Sequence, residues 1–205
     1  MRIASVDQGT TSTRSVLLED GRPPRLVRAL RHSAHYPRPE WVEHDPLELL
    51  RNVRACLSEA GDVAAFGLAN QGESCLAWDR VSGEPLSPVI VWQDNRSADL
   101  IEGLRADGAQ AVTLARAGLL LESYFSASKL AWLLRHVPAV GAAHAAGRLR
   151  LGTTDAFFIQ HLTGRCATDV TTASRTSLMN LRTCEWDAEL CRLFGVPIEC
   201  LPPIR

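Results

Sequence analysis

Apolar and polar positions change period along this chain, and the change divides it in two. From Ile3 a short apolar run, Ile-Ala-Ser-Val, gives way to Asp7-Gln8-Gly9-Thr10-Thr11-Ser12-Thr13-Arg14, and apolar residues return from Ser15 to Leu18. Two apolar runs around a cluster of turn residues predict a β-hairpin. Asp20-Gly21-Arg22-Pro23-Pro24 predicts a second turn and Leu26 to Ala34 a third strand, so the N-terminus reads as a meander. His35 to Asp45 is a loop. Asp45 followed by Pro46 is a helix start signal. That helix runs to about Ala60, with Leu47, Leu50, Val53 and Leu57 on one face and Gly61-Asp62 at its end. Val63 to Ala69 is compact and apolar and reads as a buried strand. Asn70 to Ser74 is a polar loop at its carboxyl end, Cys75 to Asp79 a further strand, and Val81 to Pro85 a turn back into Val89 to Trp92.

From Asn95 the period becomes helical. Helices are predicted at Ser97 to Ala106, Ala109 to Ala117, Ser126 to His136 and Pro138 to Gly147. Arg148 to Gly152 reads as a short strand. Thr153-Thr154-Asp155 reads as a cap for a helix over Ala156 to Leu162. Thr168 to Ser177 is a hydroxyl-rich loop, Asp187 to Phe194 a last helix, and Pro197 to Arg205 an extended, proline-broken linker. A strand meander, a crossover helix, more strands and then many helices make an α/β class protein.

Composition narrows the function classes. The chain has 205 residues and is 46% hydrophobic and 22% charged, ordinary for a core-forming protein. Its formal net charge of −1 leaves no electrostatic footprint for nucleic acid or an anionic membrane. No apolar run is long enough to span a bilayer, and Asp7 interrupts the first one, so no signal peptide is read there. The six cysteines form no Cys-x-x-Cys pair, and the six histidines show no ligand spacing. The cysteines read as small buried residues of a reducing cytosol.

The opening turn carries chemistry. A turn that exposes several N–H groups makes an anion-binding concavity. Asp7 is a hard oxygen ligand suited to Mg²⁺, and Arg14 a permanent cation suited to phosphate. No Gly-Lys-Ser/Thr follows, so it is not a Walker loop. On the turn alone, the same residues serve equally as plain hairpin geometry.

Several stretches, taken together and in order, resemble the FGGY family of carbohydrate kinases, most closely its glycerol kinase branch. Asp7 to Arg14 looks like the family's first phosphate hairpin, and Asn70-Gln71-Gly72-Glu73-Ser74 like its substrate loop. Ile90-Val91-Trp92-Gln93-Asp94-Asn95-Arg96 looks like the segment that lays an aromatic ring on a polyol. Tyr124 to Leu133 resembles the first family signature, and Gly152 to Asp155 and Thr172 to Thr176 also match. The resemblance covers nearly the whole chain and implies a ribonuclease H-like fold of the actin/hexokinase type, with a mixed central sheet and flanking helices.

It also implies that residues 1–205 are the N-terminal, substrate-binding domain. The catalytic aspartate, the second phosphate loop and most of the nucleotide pocket are then expected beyond Arg205, and this chain alone should not phosphorylate anything efficiently. ATP and Mg²⁺ are the implied cofactors, with Asp7 holding the metal through water and Gly9, Thr10, Thr11, Ser12 and Arg14 facing the phosphates. The implied acceptor site has Glu73, Trp92 and Tyr124, while Gly72 stands where glycerol kinases carry an arginine. Lys129 and Trp132 are expected to serve their helix, and Asp94 and Arg96 to pair near the acceptor pocket. The implied setting is a cytoplasmic homo-oligomer, a dimer or tetramer, acting on a small polyol or sugar. Pentulose and tetritol kinases are alternatives within the class. A non-catalytic binding domain is the alternative outside it, and a hydrolase lacks its Gly-x-Ser-x-Gly elbow.

Overall fold

The computed structural model describes residues 1–205. Strands β1 (Arg2–Gln8), β2 (Ser12–Glu19) and β3 (Arg25–Arg31) form the expected antiparallel meander. A two-residue strand, β4 (Glu43–His44), precedes helix α1 (Pro46–Ala60), and β5 (Ala65–Ala69) returns parallel to β1. The first sheet is therefore mixed, in the order β3-β2-β1-β5. Strands β6 (Cys75–Asp79) and β7 (Val89–Ile90) follow. After them come helices α2 (Ala98–Ala106), α3 (Gln110–Ala117), α4 (Ser126–His136) and α5 (Pro138–Ala145), and then β8 (Leu149–Thr153). A second, wholly antiparallel sheet has the order β4-β7-β6-β8. The chain ends with α6 (Thr154–Thr163), α7 (Val170–Ala173), a small hairpin of β9 (Met179–Asn180) and β10 (Glu185–Trp186), and α8 (Ala188–Phe194).

The second sheet is the middle layer, which explains why β6 shows no polar alternation. Cys75 and Ala77 face one core, with Ile90, Leu130, Leu133 and Leu151. Leu76 and Trp78 face the other, with Val6, Leu49, Val53, Phe157 and Phe158. Each of these large side chains is fully out of water, worth roughly 1.5–3 kcal/mol apiece before entropy is counted. On the first sheet only one face is covered. Ala4, Val6 and Leu17 point toward α1, while Ser5, Asp7 and Arg14 point out.

Most boundaries fall within a few residues of the sequence reading, and several features differ for physical reasons. The buried face of α1 is Leu49, Leu50, Val53, Cys56 and Ala60, leaving Leu47 exposed at its first turn. β5 is not buried, because it is the edge of its sheet and α1 covers β1 to β3 instead. Thr153 caps α6 without a side-chain bond to the backbone; its hydroxyl donates to Asp155 at 2.5 Å. The 168–177 stretch is not a loop. Asp169 accepts from the Thr172 N–H at 2.6 Å and caps α7, which runs on into a 3-10 turn, Ser174–Thr176. The last residues are packed rather than free. Leu201 and Pro202 are buried, and their carbonyls accept from Arg150 at 2.8 Å and from the Trp186 indole at 2.7 Å.

Candidate functional site

The β1–β2 turn is closed by the Gly9 N–H donating to the Ser12 carbonyl at 3.0 Å. A Cβ on Gly9 would sit 3.4 Å from that same oxygen, an ordinary contact. The end of β3 braces it, since the His32 ring donates from Nε2 to the Thr10 carbonyl at 2.9 Å. His32 packs edge-on against His44, with ring centroids 4.7 Å apart. Burial, then His32 and His35, push His44 down to about 4, so the ring behind the turn is neutral at pH 7.

Asp7 and Arg14 are directly opposed across β1 and β2, and both are exposed. Neither has a partner within the chain, and the hydroxyls of Thr11 and Ser12 are also free of protein partners. The Thr10 hydroxyl is engaged: it accepts the Trp92 indole N–H at 3.0 Å. It keeps its own hydrogen to donate outward. That single bond joins the β1–β2 turn to the predicted acceptor residue Trp92.

The other residues predicted to meet the acceptor follow from there. Trp92 lies 5.4 Å from Tyr124 between ring centroids, and Tyr124 lies 5.3 Å from Phe125 in an edge-to-face contact. Tyr124 is 39% exposed, open to a ligand. Gly72 and Glu73 are the central residues of a turn closed by the Ser74 N–H on the Gln71 carbonyl at 3.0 Å. The Glu73 side chain is only 10% exposed and accepts from Arg175 Nε at 2.7 Å.

Sequence reasoning missed the polar layer beneath these residues. Gln71 donates to Gln8 at 3.3 Å, accepts from the Ser74 hydroxyl at 3.2 Å, and Ser74 in turn accepts the Trp92 N–H at 3.1 Å. Three distant segments are thus tied together by buried amides and a hydroxyl. Lys129 was also missed in this role. Its ammonium donates to the carbonyls of Ser123, Tyr124 and Phe125, holding the segment that carries Tyr124. Asp94 and Arg96 do pair, through two bonds of 2.9 and 2.8 Å. Arg96 lies over the rings of Trp41 and Trp132, at 3.9 and 4.9 Å. The cavity of about 520 Å³ beside it contains none of Glu73, Trp92 or Tyr124.

An exposed turn, an unpaired carboxylate and a row of aromatic rings ending beside a second carboxylate thus share one connected surface. The model of the FGGY family of carbohydrate kinases, N-terminal domain, matches residues 2–205. The chain belongs to this family. A glycerol kinase of Cereibacter sphaeroides is 42% identical over 212 residues, covering 99% of this chain and 43% of the relative. A glycerol kinase of Gluconobacter oxydans is 44% identical over 211 residues, covering 98% and 41%. Among solved structures, Plasmodium falciparum glycerol kinase with ADP superposes with a TM-score of 0.89 at 31% identity, over 100% of this chain and 43% of that one. A xylulose kinase from Rhodospirillum rubrum gives a TM-score of 0.86 at 25% identity, over 100% and 43%. The FGGY chain therefore has the ribonuclease H-like fold of these kinases, and it spans less than half the length of the relatives it matches.

Proposed function

We propose that the full-length protein transfers the γ-phosphoryl group of ATP to a hydroxyl of a small polyol or sugar, with this chain supplying the acceptor wall and the first phosphate turn. The observation that carries the reading is the Trp92–Thr10 hydrogen bond, which sets the acceptor aromatics against the turn that faces phosphate. Phosphoryl transfer needs positioning and charge neutralisation more than covalent chemistry. The groups at hand fit Mg-ATP: an unpaired exposed carboxylate on Asp7, an unpaired cation on Arg14, and the free hydroxyls of Thr11 and Ser12 beside Gly9 and Thr10. When bound, Mg-ATP supplies a transferable phosphoryl group with part of its charge neutralised. Trp92 and Tyr124 cover the C–H side of the acceptor, and Glu73 accepts from its hydroxyls.

The base that takes the acceptor proton is expected further along, as an aspartate beyond Arg205, so residues 1–205 alone should not turn over. A reducing, cytoplasmic setting fits Cys56, Cys75, Cys191 and Cys200, which are buried free thiols. A homo-oligomer is part of the same proposal, and sedimentation checks it.

Beside the bare Gly72 lies a cavity of about 280 Å³, bounded also by Asn70, Thr172 and Arg175; Glu73, Trp92 and Tyr124 do not line it, so acceptor length is decided by experiment. The test is a panel of glycerol, erythritol, D-xylulose and gluconate with Mg-ATP, run on the full-length protein. Asp7→Ala is expected to abolish turnover and to leave the melting temperature nearly unchanged, because Asp7 is exposed and unpaired. An active Asp7→Ala enzyme would remove the metal role, and a wild type inactive on every acceptor would remove the kinase reading.

A further inference from the structure

Glu73 is the most enclosed carboxylate of the acceptor wall, and the cation that meets it comes from 102 residues further along the chain. Arg175 uses only Nε for that bond, at 2.7 Å. Its two terminal nitrogens, with four N–H groups, donate to nothing in the protein, and the side chain is 41% exposed. The guanidinium lies 5.1 Å from the Phe125 ring centroid, so the aromatic row Trp92, Tyr124, Phe125 ends on Arg175. A planar fork fixed at one nitrogen and stacked on a ring is held ready to donate from the others.

The backbone holds it as well. Asp169 caps α7, Thr176 donates to the Ala173 carbonyl at 2.7 Å and accepts from the Leu178 N–H at 3.1 Å, and Ser177 takes a left-handed φ of 64°. Gly72 completes the arrangement. It is outside the left-handed region, so turn geometry does not require a glycine there. A Cβ added to it would meet only the Arg175 side chain, Cγ at 3.6 Å and Cβ at 3.9 Å. The space a long side chain at position 72 would enter is the corridor along which Arg175 reaches Glu73.

We infer that Arg175 is a specificity-determining residue of the acceptor site: held by Glu73, it donates from its terminal nitrogens to an acceptor hydroxyl whose neighbour Glu73 accepts, and Gly72 is bare so that it can. The inference rests on the kinase reading above and assigns the site's cation to Arg175. The pair then reads a vicinal diol as donor plus acceptor, and a site of that kind rejects an analogue lacking either hydroxyl.

The experiment uses the full-length protein and the best acceptor of the panel. Arg175→Met is expected to raise the acceptor KM roughly 10- to 100-fold, the usual range for losing a charged hydrogen bond, with the ATP KM within about twofold. Arg175→Lys recovers part of the loss, keeping charge without the fork. Gly72→Arg in the wild type weakens acceptor binding by crowding Arg175, whereas Gly72→Arg combined with Arg175→Met restores part of it. Thermal melts accompany each variant. An active wild type whose acceptor KM does not respond to Arg175→Met overturns the inference and leaves the kinase reading standing. Parallel losses in both KM values and in melting temperature, with no rescue by Arg175→Lys or the double variant, make Arg175 merely structural and overturn it too. A wild type that phosphorylates no acceptor takes both readings down together.

Discussion

Lys129 has no exposed surface, yet it keeps its ammonium by donating to three carbonyls, Ser123, Tyr124 at 2.7 Å and Phe125 at 3.2 Å. Burial pushes its pKa down to about 8, opposed by Cys75, Asp94 and Glu73. An unfolded lysine titrates near 10.5, so between pH 8 and 10.5 the unfolded chain binds more protons than the folded one. Stability from this residue therefore rises with pH across that window and is flat below it. Denaturant melts are expected to find the wild type gaining on Lys129→Met from pH 8 to 10.5; a gap that shrinks there would contradict the sign. At pH 7 the substitution should cost about 2–4 kcal/mol, since buried carbonyls lose their donor. In the sequence Lys129 was an ordinary helix residue. Its role depends on where the 123–125 segment folds, and no local pattern encodes that. Glu73 and Trp92 were legible only as members of an ordered set of motifs, and Arg175 not at all as Glu73's partner, because the two are far apart in the chain.

Elements were legible where one local rule decides them. The turn residues between two apolar runs gave the β1–β2 hairpin, and Asp45-Pro46 gave the start of α1, where Asp45 accepts the Leu47 N–H at 2.8 Å. Hydroxyl residues suit loops and helical turns alike, so the 168–177 stretch does not declare its helical turn in the sequence. What decides it is the Asp169 cap, which creates the helical turn that delivers Arg175. The joint between elements is more consequential for function. One side-chain bond, Trp92 to Thr10, spans 82 residues and joins the β1–β2 turn to the segment after β7. Thr10→Val keeps shape and removes the acceptor oxygen, leaving the indole N–H without its partner. Both the ATP and the acceptor KM are then expected to rise, by about three- to thirtyfold, with the fold intact by circular dichroism. A change confined to one substrate would mean the bond does not couple the two halves of the site.

At the scale of the whole molecule, stability is concentrated where the two cores share β6 and is thin at β5. The apolar run from Val63 to Ala69 reads as a buried strand, and pairing puts its Phe66 and Leu68 on the α1 side of the first sheet, in register with Ala4 and Val6. Burial did not follow for Phe66, which remains 41% exposed, because α1 packs on β1 to β3 and stops short of the edge. A sequence pattern reports which face a residue takes; whether that face is covered depends on elements elsewhere. The opposite case is Gly152 on β8, where a Cβ would come 3.1 Å from the Trp78 ring and 3.4 Å from Pro202. Trp78 is fully buried and fixed by its indole bond to Gln160 at 2.8 Å, so it has no free direction in which to yield. Gly152→Ala, one methyl, is therefore expected to cost about 1–3 kcal/mol through overpacking. Phe66→Ser, which removes a whole ring, is expected to cost no more than about 1–2 kcal/mol, since Phe66 is already 41% exposed. Chemical denaturation of the two variants side by side checks the order. A larger loss at Phe66 than at Gly152 would mean that the β5 edge is covered, by self-association or otherwise, and that the cores do not dominate stability as the packing implies.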